Sequence, residues 1–213
     1  MKRPGRKGLP GGIRFAAIVG LVFSMLTGWS SLLEAVEMAN FYEARSLRME
    51  QELPRLPGAP PLDAKVFEVY YAALEPMREP RAVLLGLLAV ACAFVSVSAA
   101  RLLSPENLPR DAMRRVLGRA AIIAAVLRTI DGAQMAVAKQ RLFAALAEPV
   151  SKMPEWPPDV TVEASREILG AMGAGSAIFG TAVVAGTFVL LGQYFRSQRV
   201  RDAVAVQDGP QEQ

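Results

Sequence analysis

The 213-residue chain has no histidine and one cysteine. Histidine is the commonest general base and the commonest metal ligand. Its absence excludes bis-histidine haem binding, histidine zinc sites and serine-histidine-aspartate chemistry. A lone Cys92 permits no intrachain disulfide, so loops must hold their shape by packing. A phosphate-cradling glycine loop is missing too. The glycine-rich run GAMGAGSAIFG lies inside an apolar block and not after a strand, so its glycines suit helix packing. No nucleophile is set beside a base. The chain is therefore expected to be non-enzymatic, with no metal and no cofactor.

Proline is missing from four long windows, residues 11–53, 81–104, 110–148 and 159–209. Proline lacks an amide donor and clashes within a helix, so long helices can run unbroken through these windows. Each window holds one apolar block, at about 15–33, 82–100, 116–138 and 168–195. Crossing a hydrocarbon core takes about 20 residues at 1.5 Å rise, and each block reaches or approaches that length. The second and fourth blocks carry no charge. The third is the least pure. The first follows a basic flank and has a second reading as a cleaved leader, but small residues at a cleavage site are poorly placed and the helical pattern runs on through Phe41 and Leu47. A retained span is expected. Overall the chain is 52% hydrophobic, and the excess is gathered into these blocks.

The net charge of +4 is unevenly placed. Lys2, Arg3, Arg6, Lys7 and Arg14 precede the first block; Arg101, Arg110, Arg114, Arg115 and Arg119 lie between the second and third; Arg196, Arg199 and Arg201 follow the fourth. Short clusters beside apolar blocks are a topology signal rather than a phosphate-reading face, so no nucleic acid partner is expected. With four spans the three clusters share one side, and that agreement supports the third block. The positive-inside rule makes this side the cytoplasm and puts both termini there. Trp29, Tyr70, Tyr71 and Trp156 then gather toward the outer side, with Tyr194 and Phe195 at the inner end of the fourth block. Arginine far exceeds lysine and alanine is abundant, a hint of a GC-rich bacterial genome. The expected location is a bacterial inner membrane.

The expected fold is all-α: an integral membrane four-helix bundle of two sequential helical hairpins, with helices extending beyond the membrane on the outer side. Residues 15–201 form the membrane domain, with outer segments at about 34–80 and 139–167; residues 1–14 and 202–213 are expected to be flexible. Each hairpin turns at a proline-rich corner, LPRLPGAPPLD and EPVSKMPEWPPDV, which share a Pro-Pro pair. Asp63 is placed to cap a helix whose Phe67, Tyr70, Tyr71 and Leu74 make one apolar face, and Thr161 or Asp159 to start the last long helix.

Two patterns stand out inside the spans. Arg128 and Asp131 are three residues apart in the third block, with Gln134 extending the same face. Ionisable groups at membrane depth are costly and are candidates for an ion path or a ligand site; the plainer reading is an ion pair turned into the bundle. Ser24, Thr27, Ser30, Ser31 and Glu34 in and after the first block are placed to face that stripe. The second pattern is small residues four apart: Gly20, Ser24 and Gly28, then Gly173, Ala177, Thr181 and Ala185. Such ridges let backbones approach closely, within the bundle or across a homo-oligomer. The expected partners are the lipid bilayer and other membrane proteins or further copies of the chain. The expected function is assembly, scaffolding or partner binding; the alternatives are a small transporter or channel component using the Arg-Asp stripe, and a sensor with its ligand among the outer helices.

Overall fold

The computed structural model describes residues 9–50, 64–104, 110–151, 153, 156, 157 and 159–208, and no strand occurs among them. The described residues form eight α-helices in order: α1 (Gly11–Ala39), α2 (Phe41–Glu50), α3 (Ala64–Leu74), α4 (Arg78–Leu103), α5 (Arg110–Ala145), α6 (Ala147–Ser151), α7 (Val162–Arg196) and α8 (Gln198–Asp208). A 3₁₀ turn, Glu75–Met77, joins α3 to α4. Four helical stretches are long and apolar enough to cross a membrane: Gly11–Ala39, Phe67–Leu103, Arg110–Ser151 and Val162–Arg196. They contain the four blocks read from the sequence, and the fold is a helical bundle.

By internal contacts the chain divides into two compact units, and each long helix supplies residues to both. The first comprises residues 1–33, 85–128 and 184–213. Its core is built from short apolar stripes: Ile13 and Ala17 on α1; Leu88, Cys92, Val95, Ala99 and Leu102 on α4; Leu117, Ala121 and Ala124 on α5; Phe188, Leu191 and Phe195 on α7. Spacings of three and four put each set on one helical face, the seven-residue pattern of helices crossing at shallow angles. The opposite faces carry Phe15, Leu26, Trp29, Phe94, Ile123 and Leu190, each more than half exposed. In water such a surface would aggregate; in lipid it is the ordinary outer face of a span.

Small residues set the close approaches in this unit. A Cβ on Gly28 would sit 2.9 Å from the Cβ of Cys92, and one on Gly192 would sit 3.1 Å from the carbonyl oxygen of Gly118. Ser24 Oγ and Ser96 Oγ share a 2.7 Å hydrogen bond. The buried Arg114 finishes α7: its Nη1 donates to the carbonyl of Phe195 at 2.7 Å while Asp111 holds Nη2 at 2.7 Å. A guanidinium is favourable there because the last carbonyls of a helix lack amide partners and carry negative partial charge.

The second unit comprises residues 34–84 and 129–183. Phe41 and Tyr71 are buried edge to face, 5.6 Å between centroids, and Leu74 is buried on the same face of α3. Thr161 Oγ1 accepts from the amide of Ala164 at 3.2 Å, the N-cap of α7. Trp156 Nε1 donates to Ser165 Oγ at 3.0 Å and ties the second corner to that first turn. The corresponding cap proposed at Asp63 lies outside the described residues. Where a Cβ on Gly132 would stand, the side chain of Thr181 already sits, and a Cβ on Gly173 would fall 2.6 Å from the carbonyl oxygen of Lys139.

Pro76 lies in the 3₁₀ turn between α3 and α4, and Pro80 is the third residue of α4, first-turn positions where no intrahelical amide bond is lost. One expectation, that of a loose tail, needs correction. The tail from Asp202 is not loose up to residue 208. It continues α8, because Val200 and Val204, one turn apart, are buried in the apolar core of the first unit.

The glycine contacts give a paired prediction. Gly132→Leu forces α5 and α7 apart and lowers stability by about 1–3 kcal/mol, the usual cost of overpacking. Gly175→Leu, where an added Cβ meets nothing within 4 Å, leaves stability unchanged. Thermal melts of the two variants in one detergent check the contrast.

Candidate ionic site at Arg81

Two carboxylates of the second unit converge on one side chain. Arg81, in the first turn of α4, is buried. Its Nη2 donates to Glu34 Oε2 of α1 at 3.0 Å and stands 2.9 Å from Asp131 Oδ1 of α5. Side-chain exposure is 2% for Arg81, 0% for Asp131 and 43% for Glu34. One guanidinium nitrogen thus gathers carboxylates from two other helices, one sealed inside and one partly open.

Local sequence explains why each group arrives there. The buried face of α4 runs Leu85, Leu88, Cys92, Val95, Ala99, Leu102, in steps of three and four. Stepping back four from Leu85 reaches Arg81, so Arg81 continues that face. On α5 the buried residues Leu117, Ala121, Ala124, Asp131 and Ala138 follow the same seven-residue pattern, which puts Asp131 inside. On α1 Glu34 follows the buried Ser31 by three residues. Three polar groups therefore stand on faces otherwise made of small and apolar side chains, and the two buried ones, Arg81 and Asp131, are paired within the protein.

The four polar residues marked in the sequence are placed as follows. Glu34 and Asp131 meet through Arg81. Gln134, one turn beyond Asp131, is half-buried and its Oε1 is buried with no hydrogen-bond partner among the described residues. Arg128 closes the α5 segment of the first unit and lines a hollow of about 220 Å³ with Phe23, Leu26, Thr27, Ser30 and Val184. Arg81 itself was not anticipated, because it stands just before the apolar block, where charge is ordinary; extending the periodicity of α4 one step would have found it.

The remaining marked residues pack against neighbours in their own units. Gly20 approaches Leu191, Gly28 approaches Cys92, Gly173 approaches Phe143 and Thr181 approaches Gly132, while Ser24, Ala177 and Ala185 are buried. Among the described residues no group of three or more histidine, cysteine, aspartate or glutamate side chains could hold a metal.

Arg81 Nη1 is buried and also has no hydrogen-bond partner among the described residues. A buried donor of this kind costs about 1–3 kcal/mol unless something accepts from it. The cluster is then chemically able to fix three helices at one level and to offer a donor edge to a small polar guest.

Removing one member tests the first of these. Arg81→Met strips Asp131 of this cation and destabilises the protein by about 3–5 kcal/mol, while the double change Arg81→Met with Asp131→Leu recovers most of the loss. Glu34→Gln costs less than about 1 kcal/mol, since Glu34 is partly solvated. Urea or heat denaturation in detergent reads all three.

Comparison of the chain with family models, with curated proteins and with solved structures found no match.

Proposed function

We propose that this multi-pass membrane protein resides in a bacterial inner membrane, with both termini in the cytoplasm, and acts without catalysis as an assembly, scaffolding or partner-binding protein. The observation that carries the reading is the use made of charge at Arg81. Arg81, Glu34 and Asp131 are turned onto one another and join three helices, an arrangement that suits a rigid platform. Ordered helices α2, α3 and α6 beside the spans supply surface for a partner. The orientation rests on the arginines at the ends of α4 and α7 and in the first turns of α1 and α5. Copurification from the native membrane at low detergent should bring down a partner at fixed stoichiometry, and deletion should dissolve or shrink that complex. A protein that purifies alone and whose deletion changes no membrane complex overturns the proposal.

One observation favours a second reading, a small transporter or channel component. Arg81 Nη1 and Gln134 Oε1 are a buried donor and a buried acceptor without partners among the described residues. Each could be satisfied by a polar solute or a proton-carrying water at its side. In liposomes the wild type should then pass the solute or acid faster than empty vesicles, and Asp131→Asn and Arg128→Gln should abolish that flux while inserting normally. Equal flux with and without protein sinks this reading.

A further inference from the structure

The first unit carries a cationic seam that the ionic site does not use. Arg119 on α5 and Arg196 at the end of α7 are both exposed, and neither makes an ion pair among the described residues. They are brought together by the close approach of Gly118 and Gly192: a Cβ on Gly118 would meet Cγ of Arg196 at 2.9 Å, so the Arg196 stem lies across the turn that carries Arg119. Arg115, a turn earlier, is exposed and shares Asp111 at 3.1 Å. Below Arg119 the same helix is apolar outward: Ile123 and Val126 follow it by four and seven residues, on one helical face, and are 54% and 55% exposed.

This order, cations at the rim and apolar side chains beneath them, matches one kind of molecule. We propose that the α5–α7 seam binds an anionic phospholipid, its phosphate held by Arg119 and Arg196 and its acyl chains laid over Ile123 and Val126. Planar guanidinium groups suit phosphate because they offer paired donors in a fixed fork. The charge is complementary and the chains find the apolar face they need, whereas a nucleic acid or an acidic peptide would leave that face unused. Juxtamembrane arginines attract anionic headgroups by roughly 1 kcal/mol each, about a fivefold gain in affinity apiece. Lipid capture here requires only that these helices lie in a bilayer, not that the protein be a scaffold.

Native mass spectrometry of the detergent-purified full chain, titrated with phosphatidylglycerol or with phosphatidylcholine of the same acyl chains, tests the site. Phosphatidylglycerol should be retained at least about tenfold more tightly, and added salt should weaken it. The double variant Arg119→Gln with Arg196→Gln should lose on the order of tenfold in that affinity. Lysine at both positions should keep most of it, and Arg166→Gln, an exposed arginine of the second unit, should change nothing. Equal retention of the two lipids overturns the site. So does undiminished binding by the glutamine pair, or an equal loss in the Arg166 control, which would reduce the effect to total charge. A short oligonucleotide that displaces phosphatidylglycerol at equal concentration also overturns it, by making the seam a general polyanion surface. Should the glutamine pair fail to fold, the lipid preference and salt dependence of the wild type decide.

Discussion

Each long helix of this protein offers its neighbours a narrow face repeating every three and four residues, and a polar group on that face must find its partner inside the protein. Lipid tails are as apolar as leucine, so burying leucine does little to hold helices together in a membrane. What discriminates one arrangement from another is close contact between small residues and pairing between polar ones. Both devices are present. Gly28 on Cys92, Gly192 on Gly118 and Gly132 beneath Thr181 bring backbones together. Ser24 on Ser96, Arg114 on Phe195 and Arg81 on Glu34 and Asp131 then supply directional contacts.

These contacts differ in weight. A serine pair or a single interhelical hydrogen bond in a membrane protein is worth roughly 0.6–2 kcal/mol. A buried ion cluster is a different case. Desolvating Arg81 and Asp131 costs several kcal/mol each, and their attraction offsets that only with good geometry, so the cluster adds little net stability over a well-packed apolar substitute. Its strength lies in the alternatives it forbids. Any slide or rotation that separates Arg81 from Asp131 breaks a charge pair at near-zero exposure, at a penalty that small-residue contacts do not match. The cluster acts on register more than on stability.

Much of this was legible in the sequence because it depends on long-range averages. Four apolar blocks, three basic flanks and a capping threonine before α7 each follow from composition over a window or from one well-understood local bond, and the four long helices and the Thr161 cap are present. The polar residues Glu34 and Asp131 could be marked because charge inside an apolar block is conspicuous. Arg81 was hidden for the opposite reason: it stands at the edge of a block, after two prolines, where charge is ordinary. The tail was misread because α8 mixes small apolar residues with charged ones, and a helix with two buried valines resembles a solvated one until its neighbours are known.

The prolines before Arg81 help to explain its position. A helix turns about 100° per residue, so a one-residue change in where α4 begins would swing Arg81 from the inner face toward lipid. Pro76 in the 3₁₀ turn and Pro80 in the first turn of α4 each fix φ near −65°, and neither position needs the amide that proline lacks. They restrict the ways α4 can start. Because Leu85, Leu88, Cys92, Val95, Ala99 and Leu102 follow Arg81 on one face, the same start that presents Arg81 to Glu34 and Asp131 also turns the uncharged remainder of the span inward. Apolar packing accepts many rotations within a few kcal/mol, since one small side chain substitutes for another. Charge pairing at the first turn accepts one. The rotation of α4 is therefore set at its polar end, where the energy differences are largest, and the small-residue contacts of the span settle into the orientation that the arginine requires.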